Sequence, residues 1–256
     1  MTTQQFEYIA KQVSPLTDNI CLHLMGEPLL HPNLEKILTT AKQNNLNVNL
    51  TTNGTLLKQN LNLLQKGLLR KISISLHSFE ANKNKLSLEQ YLNDILETCS
   101  IINKNSKTFI EFRLWNNSNN LNTKNSLNKK IIAIICNYFN TEIQLQNNIK
   151  NYTIKHNIFL GFDNVFDWPI KTVNTENNSC KFCYGLRSHF GILCDGTVVP
   201  CCLDSEGKIA LGNIFKKNIN EILSCERANN IYSGFTNRNI TEKFCLTCTF
   251  AKRFDK

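Results

Sequence analysis

The chain has 256 residues, 41% of them hydrophobic, a net charge of +9 and 11 cysteines. That is enough for one large domain or a domain with an appendage. No run of about 18 apolar residues occurs, which argues against a helical membrane span and a membrane partner. The lysines are scattered among asparagines without a block or an aromatic-interleaved stripe, so nucleic acid is not the expected partner.

In chain order, residues 2–13 have helical spacing, with Phe6, Ile9, Ala10 and Val13 on one face and Thr2 or Thr3 as the cap. Asn19–Met25 reads as a short buried strand ending at Gly26-Glu27-Pro28, and a helix begins near Asn33. Asn47–Thr51 is the next strand, ending in Asn53-Gly54, followed by a helix over Leu56–Lys66. Lys71–Leu76 is a third strand ending in His77-Ser78, and Ser87–Asn103 an amphipathic helix. Thr108–Leu114 is a fourth strand. The segment from Asn116 to Lys130 reads as a loop leading into a helix over Leu127–Phe139. Tyr152–Phe162 holds a last strand, and Asp163–Asn178 a linker.

Strands alternating with helices imply βα units and a parallel sheet. Ligands of such sheets sit at the carboxyl ends of the strands. Gly26, Glu27, Pro28, Asn53, Ser75, His77 and Arg113 fall at those ends and mark a binding cleft. Taken singly, Asn53-Gly54 is a plain turn and His77 a scaffold histidine.

From Cys180 the chain changes character, reading C-K-F-C-Y-G-L-R-S-H-F-G-I-L-C-D-G-T-V-V-P-C-C. Asp195-Gly196 between apolar runs signals a tight hairpin, which would make Cys183 and Cys201 neighbours. Cys245 and Cys248 form a C-x-x-C that closes the segment, after helices at Ile219–Leu223 and near Glu226–Tyr232. Four sulfurs from two loops suit either a tetrahedral zinc or an iron–sulfur cluster, and spacing alone does not choose. No secretory signal opens the sequence, so a cytoplasmic setting with reduced thiols is expected and disulfides are not.

Together these residues resemble the radical S-adenosylmethionine (SAM) enzymes that carry a C-terminal SPASM- or twitch-type auxiliary-cluster domain. H-L-M-G-E-P-L-L-H-P (His23–Pro32) resembles that family's G-E-P motif, L-T-T-N-G-T-L-L (Leu50–Leu57) its T-N-G segment, and I-S-I-S-L-H-S (Ile72–Ser78) its serine motif. G-T-V-V-P-C-C followed by L-G-N-I-F resembles the SPASM signature. The resemblance implies an α/β fold: a partial (β/α)6 TIM-like barrel lacking its first strand over residues 1–162, a linker over 163–179, and a small Cys-rich module over 180–256. It implies SAM bound along the G-E-P backbone, with Asn53, Ser75, His77 and Arg113 lining the cofactor or substrate cleft. It also implies one auxiliary [4Fe–4S] cluster on Cys183, Cys201, Cys245 and Cys248, with Cys180 and Cys202 in reserve; zinc remains the alternative metal. A complete parent would use a 5′-deoxyadenosyl radical to take hydrogen from a peptide or small-molecule substrate. Its reductant would be a flavodoxin or ferredoxin.

The family's C-x3-C-x2-C is absent. Cys21, Cys99 and Cys136 are too far apart in sequence to rebuild it. Met1–Phe6 resembles the "Met-x-x-x-x-Phe" opening of the helix that normally follows that cysteine loop. The expectation is therefore a truncated chain, with the Asn19–Met25 strand left at an open edge and no SAM cleavage. The alternative is a non-catalytic iron–sulfur or zinc scaffold.

Overall fold

A computed structural model describes residues 1–80, 86–117, 126–146, 149–164, 169 and 181–254. The chain divides into two compact units, residues 14–165 and residues 1–13 with 166–256.

The larger unit is built on a sheet in the order β1-β2-β3-β4-β6-β5. Strands β1 (Asn19–Leu22), β2 (Asn47–Thr52), β3 (Lys71–Ser75), β4 (Phe109–Asn117) and β6 (Ile158–Asn164) run parallel. β5 (Asn151–Lys155) is antiparallel to β6. Thus the single strand expected over Tyr152–Phe162 is a hairpin. Asn157, at φ +62°, supplies the left-handed residue of its turn. The helices are α2 (Leu34–Gln43), α3 (Leu61–Leu64), α4 (Leu88–Asn105, capped by Ser87) and α5 (Ser126–Phe139). The expected helix over Leu56–Lys66 is only a 3₁₀ turn at Lys58–Asn60 and the single turn of α3. Asn60 Nδ2 donates to Leu56 O at 3.0 Å, and asparagine, which offers the backbone such alternative bonds, is a weak former of helix interiors.

Alternation along the strands sorts the two faces of the sheet. Val48, Leu50, Ile72, Ile74, Ile110, Phe112, Leu114, Ile158 and Leu160 are buried. The other face carries Asn49, Thr51, Lys71, Ser73, Ser75, Glu111, Arg113 and Gly161. Register aligns these in rows: Thr51–Ser73–Glu111–Phe159, and, nearer the carboxyl ends, Ser75–Arg113–Gly161–Asn151. β1 is an edge strand with Asn19 and Cys21 exposed.

The second unit contains α1 (Thr3–Val13) and the cysteine-rich segment. Thr2 Oγ1 accepts from Gln5 N at 3.1 Å, and Thr2 N donates to Gln5 Oε1 at 2.7 Å, a reciprocal capping box. Phe6, Ile9, Ala10 and Val13 form the buried face. At the far end Gln12 Oε1 accepts from Ile219 N at 2.8 Å, capping α6 (Ile219–Leu223). β7 (Gly191–Ile192), β8 (Thr197–Val199) and β9 (Gly212–Asn213) form a small antiparallel sheet. The turn between β7 and β8 has Gly196 at φ +87°, with the Phe215 ring packed where a side chain would project. α7 (Glu226–Thr236) and α8 (Lys243–Leu246) complete the unit. Among the described residues no helix is long and apolar enough to cross a membrane. The expected linker lies outside the described residues apart from Asp163, Asn164 and Pro169, as does most of the loop expected after Asn116.

Candidate functional site

At the carboxyl ends of β1 and β2 two loops are tied together. Glu27 Oε2 accepts from Asn53 N at 2.9 Å, and Glu27 Oε1 accepts from Leu29 N at 3.1 Å. Pro28 opens the 3₁₀ turn that follows. Gly26 has φ +88°, and a Cβ there would meet nothing within 4 Å, so its backbone is open on that side. Asn53 Oδ1 accepts from Thr55 N (2.9 Å) and Thr55 Oγ1 (2.7 Å), forming an Asx turn.

His77 lies just past β3 in a 3₁₀ turn. Its Nδ1 is 3.1 Å from Arg113 O and 3.3 Å from Trp115 N, so the ring continues the β3–β4 ladder after the backbone has turned away. Burial holds the imidazole pKa below its usual value; the Arg113 carbonyl opposes this. The Arg113 guanidinium lies 3.4 Å from the Trp115 ring centroid, with Nε 3.7 Å from Glu111 Oε2. The same carboxylate oxygen accepts from Ser73 Oγ (2.8 Å) and lies 2.9 Å from Lys71 Nζ. Gly161 leaves room for this group, since a Cβ there would stand 3.0 Å from Glu111 Oε1.

Sequence reading missed Glu111 and Tyr91. Glu111 sits mid-strand, and only its in-register alignment with Ser73 reveals it. Tyr91 lies on α4 and donates to Asn53 O at 2.6 Å, a partner 38 residues away.

In the second unit, Cys183, Cys201 and Cys202, with Ile240, Phe250 and Phe254, pack against a buried cluster of Leu203, Cys248 and Ala251. The hairpin thus brings Cys183 and Cys201 into one cluster with Cys248. Cys245 is buried one turn before it, its carbonyl accepting from Cys248 N at 3.2 Å. Cys180 lies outside the described residues. Burial pushes the Cys201 thiol up to about 12, and the nearby thiols of Cys202, Cys183 and Cys248 push the same way. Burial also raises Cys183 and Cys248. Thiols so placed repel one another as thiolates and gain most from a cationic centre.

Among the described residues no three His, Cys, Asp or Glu converge on a single ion. One tetrahedral zinc would need its sulfurs about 3.8 Å apart, given a Zn–S bond of about 2.3 Å. A [4Fe–4S] cluster takes its thiolates on separate irons and spaces them wider. The grouped thiols and their apolar surround suit a thiolate-bound centre.

Comparison with known proteins agrees. Residues 1–113 match the radical SAM superfamily and residues 183–249 the SPASM iron–sulfur cluster-binding domain; the zinc alternative finds no support there. GTP 3′,8-cyclase of Aquifex aeolicus is 36% identical over 70 residues, covering 27% of this chain and 22% of that protein. The chain therefore spans less than a quarter of that curated relative. The crystal structure of BtrN in complex with AdoMet and 2-DOIA superposes with a TM-score of 0.58 at 16% identity, covering 97% of this chain and 80% of BtrN. Streptococcus suis SuiB bound to precursor peptide SuiA superposes with a TM-score of 0.55 at 13% identity, covering all of this chain and 66% of SuiB. At such identities the likeness is one of fold. With both family domains matched in the expected order, the chain belongs to the radical SAM family and carries a C-terminal SPASM iron–sulfur domain.

Proposed function

We propose that the C-terminal unit holds one auxiliary [4Fe–4S] cluster on Cys183, Cys201, Cys245 and Cys248. Cys202 and Cys180 are the alternates for their neighbours. The rim at the carboxyl ends of the strands binds SAM. The observation that carries this reading is the gathering of Cys183, Cys201 and Cys248 in one apolar cluster, inside the stretch matched to an iron–sulfur cluster-binding domain.

On the rim, the open Gly26 backbone and the Glu27–Asn53 link offer polar groups in a fixed arrangement, suited to the methionyl end of SAM. Ser75 and Arg113 border the same polar face. Glu111, bracketed by Lys71 and Arg113, holds the Arg113 side chain in place. Trp115 covers its guanidinium. His77 fixes the backbone at the end of β4 and leaves SAM contact to its neighbours. In the family's chemistry a reduced cluster and SAM together supply a 5′-deoxyadenosyl radical that takes a hydrogen from substrate.

The substrate class we favour is a peptide or a small molecule; the SuiB complex holds a precursor peptide. A flavodoxin or ferredoxin would be the reductant, and the cytoplasm the setting. We also keep residues 1–162, 163–179 and 180–256 as the functional division. A second reading has a specific ground: the sequence has no C-x3-C-x2-C. It makes this chain a non-catalytic scaffold that keeps one cluster.

Anaerobic reconstitution with iron and sulfide tests the proposal. A brown protein with about four irons is expected, and Cys201→Ser or Cys248→Ser should lose most of the colour. A colourless protein, or one holding a single zinc, would overturn it.

A further inference from the structure

The loops that end β1 and β2 are joined to each other and to α4 by one hydrogen-bonded chain. Glu27 bridges the first two loops through Leu29 N and Asn53 N. The other side of Asn53 is held from below: its carbonyl accepts from the Tyr91 hydroxyl at 2.6 Å. Tyr91 is 2% exposed and belongs to α4, outside the strands and their end loops. On the turn after β3, Ser78 Oγ donates to Ser75 O at 2.6 Å. The Tyr91 ring is braced by Phe79 at 5.1 Å between centroids. Gly54, at φ +84°, lets the loop settle onto this post. A Cβ there would stand 2.8 Å from Ile95 Cδ1 and 3.2 Å from the Tyr91 hydroxyl.

Every backbone group of Asn53 is thus spent inside the protein: its N–H on Glu27 and its carbonyl on Tyr91. We infer that Tyr91 and Glu27 are positioning residues that lock the loops after β1 and β2 into one rigid rim, with Asn53 as the joint through which α4 sets the attitude of the Gly26-Glu27-Pro28 backbone. The inference deepens the SAM reading of that rim and rests on it for its functional consequence only. Burial keeps the Tyr91 hydroxyl protonated and therefore a donor. A rim preassembled in this way spares a ligand the cost of ordering the loops.

Amide hydrogen exchange on the whole chain tests the coupling without any ligand, using Tyr91→Phe, Glu27→Gln and the double variant. Tyr91→Phe keeps the ring against Phe79, and Glu27→Gln changes a loop outside the core, so each checks the other against misfolding. Tyr91→Phe should speed exchange about tenfold at Asn53 and Gly54, and also at Leu29, whose N–H is held by Glu27. The double variant should be no faster than the faster single one, as expected of groups acting through one joint. If Tyr91→Phe leaves Leu29 at the wild-type rate, or the two effects multiply, the inference is overturned.

Equilibrium dialysis of SAM separates it from the reading it rests on. Weaker SAM binding by Tyr91→Phe, about tenfold, with the melting transition unmoved, supports positioning. Binding equal to wild type overturns it. A wild-type chain that binds no SAM but shows coupled exchange overturns the SAM reading and leaves the joint standing.

Discussion

Asp204 is the one acid in the buried set among the described residues, with no exposed surface. It follows the Cys201-Cys202 pair and turns the chain: Oδ1 accepts from Lys208 N at 2.8 Å and Oδ2 from Ile209 N at 2.7 Å. Its own N–H donates to Cys201 O at 3.3 Å. One residue, through its backbone N–H and its carboxylate, thus ties the cysteine pair to the loop after it. Asp204→Asn keeps the shape but sets an amide NH2 against a backbone N–H. The cost should be about 1–3 kcal/mol, read as faster exchange at Lys208 and Ile209 and weaker cluster retention after reconstitution. Unchanged exchange at both amides would show that the carboxylate is dispensable. The cysteines were legible in the sequence because their spacing is itself the signal. Asp204, Tyr91 and Glu111 were not, because each has its role only through partners that folding brings to it.

At the scale of elements, β3, β4 and the turn between their ends show where local pattern suffices and where it stops. Alternation of Ile72, Ile74, Ile110 and Phe112 with polar residues locates both strands and the buried face of the sheet. It does not say that a histidine ring takes over the ladder when β3 ends. His77 is held below its usual pKa chiefly by burial, so the folded chain binds its proton less readily than the unfolded chain does. The linkage sign follows: the unfolded state holds more protons once pH falls below about 6.5. His77 therefore contributes stability in full above that pH, and the contribution is lost as pH falls through the folded-state value. Urea unfolding of residues 14–165, followed by exchange between pH 8 and 5, should show stability falling on acidification, and His77→Gln should flatten the profile. His189, lowered by burial in the other unit, is the internal comparison; its substitution should leave the profile of residues 14–165 unchanged. The same limit of local pattern explains the two misread elements. The left-handed Asn157 splits one apparent strand into a hairpin, and the helix that periodicity would extend over Leu56–Lys66 is interrupted at Asn60, whose side chain bonds the Leu56 carbonyl.

For the whole molecule the decisive comparison is between what the two units supply. On the proposed reading, the loops at the carboxyl ends of the parallel sheet take SAM and the cysteine unit takes one cluster. Neither supplies three thiolates at C-x3-C-x2-C spacing. Of the cysteines outside the 180–248 segment, Cys21 is on the edge strand, Cys99 is buried in α4 with its thiol pKa pushed up by burial, and Cys136 is on α5. Even with the SPASM cysteines filled, the chain should therefore carry about four irons rather than eight, and should form no 5′-deoxyadenosine from SAM under strong reductant. Chromatography of the quenched reaction reads this directly. Robust product from a chain holding four irons would mean that the auxiliary site itself cleaves SAM. Product accompanied by eight irons would mean that Cys21, Cys99 and Cys136 assemble a second site against the burial of Cys99. Product lost in Cys248→Ser but kept in Cys99→Ala would assign the reaction to the first of these.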